Sequence, residues 1–286
     1  QVPLCDHEQL RHFTRKKGSP QSFSCQLGED DIIYGLGETM RGINKRGARY
    51  ISFNYDDPHH KDDMPSMYGA HNFFVVDGET AFGAFFDTPA KVVFDMDSRG
   101  DGVLSVSCES QDLRLYVVEG ENAYDVVRQF LHVIGQSFLP PLWAFGYGQS
   151  RWGYKTERDV SRVIAKHEEK GIPLDYVCLD IDYMDRYIDF TINKRRFPDL
   201  AGYTAGLKEK GIHLVPIVDA GIKIEPGNRV YDEGVRSGFF CKNHEGTDFQ
   251  AEVWPGMTHF PDFLREEVRT WFGEQYRIYT DCGLEG

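Results

Sequence analysis

The chain has 286 residues, of which 41% are hydrophobic and 14% aromatic, so it can bury the core of one large domain or of two ordinary ones. Its formal net charge of -13 argues against the basic surface with which proteins bind nucleic acids or anionic lipids. No apolar run approaches the roughly 18 residues of a membrane span, and no charged-then-apolar leader precedes the first strands. We therefore expect a soluble globular protein with neither nucleic acid nor membrane as a partner.

Motifs for metals, cofactors and disulfides are absent from the sequence. The glycine pairs Gly35-x-Gly37 and Gly146-x-Gly148 lack the third, helix-opening glycine of a nucleotide site, and His59-His60 has no third metal ligand at a sensible spacing. The cysteines form no Cys-x-x-Cys pair, which favours reduced, buried thiols and a cytoplasmic location. They are Cys5, Cys25, Cys108, Cys178, Cys241 and Cys282. We predict no metal and no cofactor, and the oligomeric state stays open.

Residues 22–118 alternate between apolar and polar side chains, the period of half-buried strands. Leu104, Val106 and Cys108 are an example, because serines separate them. Asp77-Gly78 lies between two aromatic-rich runs and predicts a hairpin whose turn needs a positive φ. Successive strands with such turns predict a β-sandwich.

The period changes to that of a helix between Ala123 and Ile134, and Gly135 is a helix-ending residue. Pro140-Pro141 follows shortly afterwards. We therefore predict two domains, a β-sandwich over residues 1–135 and a second domain over residues 136–286.

Short buried strands alternate with amphipathic helices after Leu142, which predicts a parallel sheet. The predicted order is a strand at 143–148, a helix from Thr156 to Gly171, a strand at 175–179, a helix at 201–210, a strand at 213–218, a helix that contains residues 268–276 and ends near Gly283, and the start of a fourth strand at the end of the sequence. A complete eight-stranded barrel takes about 250 residues, more than this region contains. The predicted fold is thus α/β plus all-β: an N-terminal β-sandwich followed by the first three to four β/α units of an incomplete (β/α)8 barrel.

Carboxylates follow two of the predicted strands at the points where those strands end. Asp180 and Asp182 follow the second strand and, as alternate residues, would point to the same side, while Asp219 follows the third. The first strand ends in residues 149–154, which include Arg151 and Trp152. Because β/α barrels hold their active sites at the carboxyl ends of the strands, these residues are candidates for function. Each aspartate alone is equally explained as a helix N-cap or an ion-pair partner.

Carboxylates together with aromatic rings are what a sugar site requires. Charged groups bind the hydroxyls, and the apolar face of the sugar ring stacks on an indole. Trp254 is a candidate platform, although a tryptophan that fills the core explains the sequence equally well.

At these residues the chain resembles glycoside hydrolase family 31, a group dominated by exo-acting, retaining α-glucosidases. The resemblance covers residues 30–286 and depends on a combination of motifs. They are Tyr34-Gly35-Leu36-Gly37-Glu38, the segment 140–154, Leu179-Asp180-Ile181-Asp182-Tyr183-Met184-Asp185, Phe197-Pro198-Asp199, Val253-Trp254-Pro255-Gly256 and Phe260-Pro261-Asp262.

The resemblance implies roles for particular residues. In the family a β-sandwich loop reaches the pocket, and here that loop corresponds to residues 54–58. Asp56 and Asp180 are implied to bind hydroxyls of the terminal sugar. Ile181, Ile217 and Trp254 are implied to line the pocket. Weaker candidates, for a supporting role behind these lining residues, are Asp219, Trp152 and Arg151.

The sequence departs from the family at its catalytic pair. The family's nucleophilic aspartate lies on the fourth strand, in a Trp-x-Asp-Met-Asn-Glu type motif, and its acid/base aspartate lies later still. We expect both beyond Gly286, so the 286 residues alone should be inactive, because retaining hydrolysis needs two carboxyl groups about 5 to 5.5 Å apart.

The resemblance implies that the intact enzyme removes terminal α-linked glucose through a glycosyl-enzyme intermediate. One alternative is a truncated, non-catalytic piece that binds sugar or serves a structural role. Another is a sister activity on the same scaffold, such as an α-xylosidase, a transglycosylase or a sulfoquinovosidase, since a fold does not fix its reaction.

Overall fold

The computed structural model describes residues 7–9, 12–18 and 20–286. The chain divides into two compact units, Gln1–Phe138 and Leu139–Gly286, here called unit 1 and unit 2. Among the described helices, none combines the length and the hydropathy needed to cross a bilayer.

Unit 1 is built from antiparallel strands in two sheets. In the described residues one sheet has the order β1-β2-β3-β9-β8-β5 and the other the order β10-β7-β6-β4. The strands are β1 (His7–Gln9), β2 (Thr14–Lys16), β3 (Gln21–Gln26), β4 (Ile32–Gly37), β5 (Ala48–Ser52), β6 (Ala70–Asp77), β7 (Ala81–Asp87), β8 (Val92–Met96), β9 (Val103–Cys108) and β10 (Arg114–Gly120).

The core of unit 1 lies between these sheets and is largely aromatic. Phe74 on β6 meets Phe94 on β8 edge to face, with ring centroids 6.0 Å apart, and Phe23 on β3 meets Phe86 on β7 at 5.2 Å. Because each of these pairs joins a strand of one sheet to a strand of the other, the two apolar faces pack against each other. The predicted sandwich is confirmed.

The hairpin predicted at Asp77-Gly78 is present, but the reason given for it is wrong. Strands β6 and β7 pair antiparallel, with Phe73 opposite Phe85. Gly78 lies outside the left-handed region of φ. A Cβ at this position would instead overlap the carboxylate of Asp31, so close approach explains the glycine.

Helix α1 (Ala123–Ile134) follows the last strand of unit 1, as its periodicity predicts. Asn122 caps it by accepting a hydrogen bond from the amide of Asp125, and Gly135 ends it with a φ of 86°. Phe130 stacks on Phe73 of β6 at 3.8 Å, which holds the helix against the sheet.

Unit 2 alternates strands with helices around a three-stranded parallel sheet of order β11-β12-β13. Its elements are β11 (Gly148–Ser150), α2 (Glu157–Lys170), β12 (Tyr176–Leu179), α3 (Leu200–Lys208), β13 (His213–Pro216), β14 (Ile222–Lys223), α4 (Arg229–Ser237), β15 (Gln250–Val253), β16 (Gly256–His259), α5 (Glu266–Gln275) and α6 (Arg277–Thr280), with 3-10 helices at Leu142–Phe145 and Ile181–Tyr183.

The second helix shows why local signals predicted these elements well. Thr156 and Asp159 form a reciprocal capping box at the start of α2, and Gly171 ends it in the left-handed conformation. Val160 and Ile164 on one face of α2 are buried in the same core as Leu179 of β12.

The first predicted strand of unit 2, at residues 143–148, is wrong. Its apolar half forms a 3-10 helix, and the strand begins only at Gly148. The ring of Trp143 stacks on His213 at 4.2 Å and meets Tyr176 edge to face. These contacts are with the first residues of β12 and β13, so this part of the segment packs at the amino end of the sheet and not within it.

A second, antiparallel sheet of order β14-β16-β15 follows β13 in the chain. The predicted series of strands and helices did not include this sheet. The parallel sheet and its helices form part of a barrel, and the described residues do not close one.

Candidate functional site

The carboxyl ends of three parallel strands meet at one edge of the sheet in unit 2. Ser150 of β11 is in register with Cys178 of β12, and Leu179 of β12 with Pro216 of β13. Residues that follow these strands therefore lie at the same edge, where β/α barrels place their active sites.

Asp180 is the first residue after β12 and is half-buried. Its Oδ1 accepts a hydrogen bond of 2.7 Å from the amide of Ile181 and so caps the 3-10 helix Ile181–Tyr183. Ile181 is itself partly buried against the core of unit 2. Asp180 thus caps this 3-10 helix and also lies at the exit of β12.

Asp182 does not share a side with Asp180, contrary to the prediction. The alternation of a strand stops at Leu179, and the following 3-10 turn buries Asp182 completely. Arg196 Nη1 donates to the carbonyl oxygen of Asp182 at 2.8 Å and lies 3.5 Å from its Oδ1. Asp182 Oδ2 has no hydrogen-bond partner among the described atoms. This residue belongs to the interior of the unit.

Asp219 lies at the exit of β13 and interacts with Asp180. Burial raises the pKa of the Asp219 carboxyl, and the negative charge of Asp180 raises it further. The charge of Asp180 therefore acts on Asp219 through space, as expected for side chains that follow neighbouring parallel strands.

Asp189 is a third carboxyl group at this edge, and the sequence interpretation missed it. Its side chain is buried, and its Oδ1 accepts a hydrogen bond of 3.1 Å from the amide of Asp219. Burial raises the pKa of Asp189 to about 7, the hydrogen bond from that amide opposes the rise, and the charge of Asp219 adds to it. The available signal was an acidic residue between two apolar ones, Ile188 and Phe190.

Ile217 presents an apolar side chain at the same edge. It is 42% exposed and directly follows β13. Its carbonyl oxygen accepts a hydrogen bond of 2.9 Å from the hydroxyl of Tyr183, a fully buried residue. The hydrogen bond from Tyr183 therefore fixes the backbone at the end of β13, while the side chain of Ile217 remains accessible.

Trp254 occupies the turn between β15 and β16 and is 74% exposed. The alternative in which this tryptophan fills the core is therefore wrong. Within the described residues no hydrogen bond links Trp254 to Asp180. At the exit of β11, Trp152 is also exposed, and Arg151 Nε donates to the carbonyl oxygen of Trp152 at 3.2 Å.

Asp56 lies in unit 1, in an exposed loop. Its neighbour Asp57 accepts hydrogen bonds from the backbone and the ring of His59, and these lower the pKa of the Asp57 carboxyl. Asn54, at the start of the loop, lines a cavity of about 490 Å³ in unit 1. Neither this loop nor any other described part of the chain brings together three side chains able to hold a metal ion.

The described cysteines are unpaired, but only Cys25 and Cys108 are buried, fewer than the prediction of mostly buried thiols requires. Cys25, Cys108, Cys178, Cys241 and Cys282 are free, and Cys5 lies outside the described residues. Burial raises the pKa of Cys178, which lies near the strand exits, and disfavours its thiolate.

The strand exits thus combine partly desolvated carboxyl groups with exposed apolar side chains. Carboxylates in such surroundings form strong hydrogen bonds to hydroxyl groups, and apolar side chains cover the carbon faces of a sugar. The arrangement is suited to binding a neutral, polyhydroxylated ligand.

Comparison with known proteins agrees with this interpretation. Residues 137–286 match the TIM-barrel domain of glycosyl hydrolases family 31, and residues 4–95 match the family's N-terminal galactose mutarotase-like domain. The chain is 42% identical over 263 residues to alpha-glucosidase 2 of Bacillus thermoamyloliquefaciens, covering 91% of this chain and 33% of that protein. It is 32% identical over 255 residues to an alpha-glucosidase of Saccharolobus solfataricus, covering 89% and 36% respectively.

Solved structures show the same fold. A family 31 dextranase of Flavobacterium johnsoniae, complexed with isomaltotriose, superimposes with a TM-score of 0.85 at 23% identity, over 98% of this chain and 34% of the dextranase. The chain spans about a third of the length of the curated relatives named above. The family model of the barrel domain covers more than half of the residues, and the chain belongs to glycosyl hydrolase family 31.

Proposed function

We propose that this chain is part of an exo-acting α-glucosidase that removes terminal α-linked glucose. The observation that carries the proposal is the meeting of Asp180, Asp219 and Ile217 at the carboxyl edge of the parallel sheet in a chain of family 31. The two curated relatives at 42% and 32% identity are both named alpha-glucosidases, which supports the choice of sugar.

In this proposal the chain supplies residues that bind the sugar, but not the carboxyl groups that cleave it. Asp180 accepts hydrogen bonds from hydroxyls of the terminal glucose, because a carboxylate at a partly desolvated strand exit forms strong bonds of this kind. Ile181 and Ile217 contact the apolar edge of the sugar, and Trp254 stacks on its face. Asp56, on an exposed loop of unit 1, is separately proposed to bind hydroxyl groups of a sugar.

The catalytic carboxyl pair is proposed to come from residues after Gly286. One carboxylate would attack the anomeric carbon while the other protonates the leaving oxygen, and water would then release glucose with retention of configuration. The attacking carboxylate is expected on the fourth strand, and the backbone supports this position. The amide of Glu285 donates to the carbonyl oxygen of Leu214 at 3.1 Å. Residues 285 and 286 therefore run beside β13, where a fourth strand would lie. The 286 residues alone are then expected to bind without cleaving.

The domain division stays a proposal as well. We place the β-sandwich at residues 1–135 and three to four barrel units at residues 136–286. Limited proteolysis that cuts between Gly135 and Leu142 and leaves both parts intact would support this boundary.

The test is an assay of the whole enzyme on aryl α-glucoside, aryl α-xyloside, an aryl sulfoquinovoside and isomaltose. The proposal predicts the highest kcat/KM on the α-glucoside, release of glucose from isomaltose, and α-glucose as the first product seen by proton NMR. A preference for xyloside or sulfoquinovoside would replace the proposal with a sister activity, and β-glucose as first product would exclude retention.

A second experiment addresses the non-catalytic alternative. The 286-residue chain and the whole enzyme are titrated with glucose and maltose and assayed in parallel. Cleavage by the whole enzyme and none by the chain is the expected result. A whole protein that binds these sugars but cleaves no α-glycoside would favour the non-catalytic function.

A further inference from the structure

The loop between the 3-10 helix Ile181–Tyr183 and α3 has an unusual backbone. Arg186, Tyr187 and Phe190 have φ values of 51°, 59° and 59°, in the left-handed region that residues with side chains disfavour. Such conformations persist where the surrounding structure holds them, and they concentrate at functional sites.

Part of this loop is held by contacts with residues 272–279. The amide of Phe190 donates a hydrogen bond of 2.8 Å to the hydroxyl of Tyr279, and the Phe190 ring packs on Phe272 and Tyr276 at centroid distances of 5.2 and 5.5 Å. The amide of Asp185 donates to Thr191 Oγ1 at 2.9 Å. The loop is therefore anchored to residues 272–279 directly after Asp189, and its own hydrogen bond closes it across Asp189.

Two of the hydrogen bonds between the segment after β12 and the segment after β13 lie close to the strand exits. The Tyr183 hydroxyl donates to the carbonyl oxygen of Ile217 at 2.9 Å, and the Asp219 amide donates to Asp189 Oδ1 at 3.1 Å. The side chains that make these bonds are buried, and Asp189 is only 4% exposed. The backbone on either side of Val218 is thus fixed relative to the loop that follows Asp180.

We propose that Asp189 is a positioning residue, whose buried carboxyl group holds the Asp219 amide and thereby sets Ile217 and Asp219 relative to Asp180 at the sugar site. The inference rests on the proposed function, because it assigns a purpose to residues whose contact with sugar is itself proposed. Asp189 has no access to the sugar, so it acts through Asp219 and not on the substrate.

The protonation of Asp189 fits this role. With a pKa of about 7 it is largely a neutral acid below neutrality, and the carbonyl oxygen of a neutral acid still accepts the amide hydrogen bond. The ionisable groups that face it are Asp219, Tyr183, Tyr276 and Tyr279. Asparagine keeps an acceptor oxygen in the same place, whereas alanine removes it.

The experiment compares Asp189→Ala and Asp189→Asn in the whole enzyme with a matched control, Ile164→Ala. Ile164 is 2% exposed and packs in the core from α2, so its truncation lowers stability without touching either strand exit. Two quantities are measured well below the unfolding temperature of each variant. They are kcat/KM on aryl α-glucoside and the hydrogen–deuterium exchange of the peptide that contains the Asp219 amide.

The proposal predicts that Asp189→Ala exchanges faster at Asp219 and loses about ten-fold or more in kcat/KM, since small displacements in a site cost large factors in rate. Asp189→Asn is expected within about three-fold of the wild type in both measurements. Ile164→Ala should keep both values near those of the wild type.

Two results would overturn the inference: unchanged exchange at Asp219 in Asp189→Ala, or an equal loss in the alanine and asparagine variants. A wild-type enzyme without activity on any α-glycoside would instead refute the proposed function. The exchange measurement would still decide whether Asp189 holds the exit of β13.

Discussion

The amide of Glu285 donates a 3.1 Å hydrogen bond to the carbonyl oxygen of Leu214 on β13. The side chain of the same glutamate accepts a hydrogen bond of 2.9 Å from Lys208 and pairs with the ring of His213. The end of the sequence is thus fixed to the amino-terminal half of β13, at the opposite end of the strand from the exit that carries Ile217 and Asp219.

Replacing Glu285 with glutamine tests the energetic value of this contact. Burial works against the charged form of Glu285, but the hydrogen bonds from Lys208 and His213 outweigh it and lower the pKa. The stabilisation is therefore present above the unfolded pKa and is lost as the pH falls through the lowered folded value. Because the side chain is 39% exposed, we expect a loss of less than about 1 kcal/mol at pH 7 that decreases as the pH falls.

Urea unfolding of the wild type and of Glu285→Gln at pH 7 and at a series of lower pH values measures this difference. Glu168→Gln is the control, because Glu168 pairs with Lys210 at 3.3 Å in a largely exposed position. A loss for Glu285→Gln that is constant with pH would contradict the ionic interpretation.

The buried carboxyl group of Asp189 predicts an opposite dependence on pH. Its folded pKa of about 7 lies above the unfolded value, so the wild type loses stability as the pH rises from about 4 to about 7. The slope is about 1.4 kcal/mol per pH unit for a single group. Tyr183, Tyr276 and Tyr279 stay protonated over this range, since burial raises their pKa values.

Asp189→Asn removes this titration. The free energy of unfolding of the variant, minus that of the wild type, is expected to increase between pH 4 and pH 7 and to level off above pH 8. Chemical denaturation at each pH provides the measurement, and a difference that does not change with pH would show that Asp189 titrates normally.

Gly35 is expected to be the least replaceable glycine of its motif. It has a φ of 117°, and a Cβ would lie 2.5 Å from the carbonyl oxygen of Phe73 and 2.9 Å from Cα of Phe74 on the neighbouring strand. Gly35→Ala therefore combines backbone strain with a clash against backbone atoms, and we expect a loss of about 3 kcal/mol or more.

Gly47→Ala is the matched control for that variant. Gly47 also has a positive φ, 87°, but outside its adjacent residues no described atom lies within 4 Å of the position that a Cβ would take, so only strain of about 1 kcal/mol is expected. Thermal unfolding followed by circular dichroism compares the two. Equal losses would mean that the approach of β6 to Gly35 has no energetic effect.

Local chemistry explains which parts of the fold the sequence predicted. The helix from Thr156 to Gly171 carries its own start and stop signals, so its limits are readable without knowledge of its neighbours. Trp143 has no such signal. Its apolar surroundings read as a strand, whereas the stacking partner that places it, His213, lies far away in the sequence.

The residues of the candidate site likewise differ in whether the sequence alone could predict them. Asp180 and Asp219 were recognisable because each follows a short apolar strand. Asp189 lies in a loop whose burial depends on Tyr279 and Phe272, and those contacts form only in the folded unit. Asp182 misled the alternation argument because a 3-10 turn replaces the strand at Ile181.

The most direct test of the proposed sugar site is the substitution Asp180→Ala in the whole enzyme, measured as kcat/KM on aryl α-glucoside beside the surface variant Glu245→Ala. Loss of a charged hydrogen bond to the sugar should cost about 1.5–3 kcal/mol, or roughly ten-fold or more in kcat/KM, while Glu245→Ala stays at the wild-type value. A kcat/KM for Asp180→Ala within a factor of about two of the wild type would contradict a sugar-binding role for the carboxyl edge of this sheet.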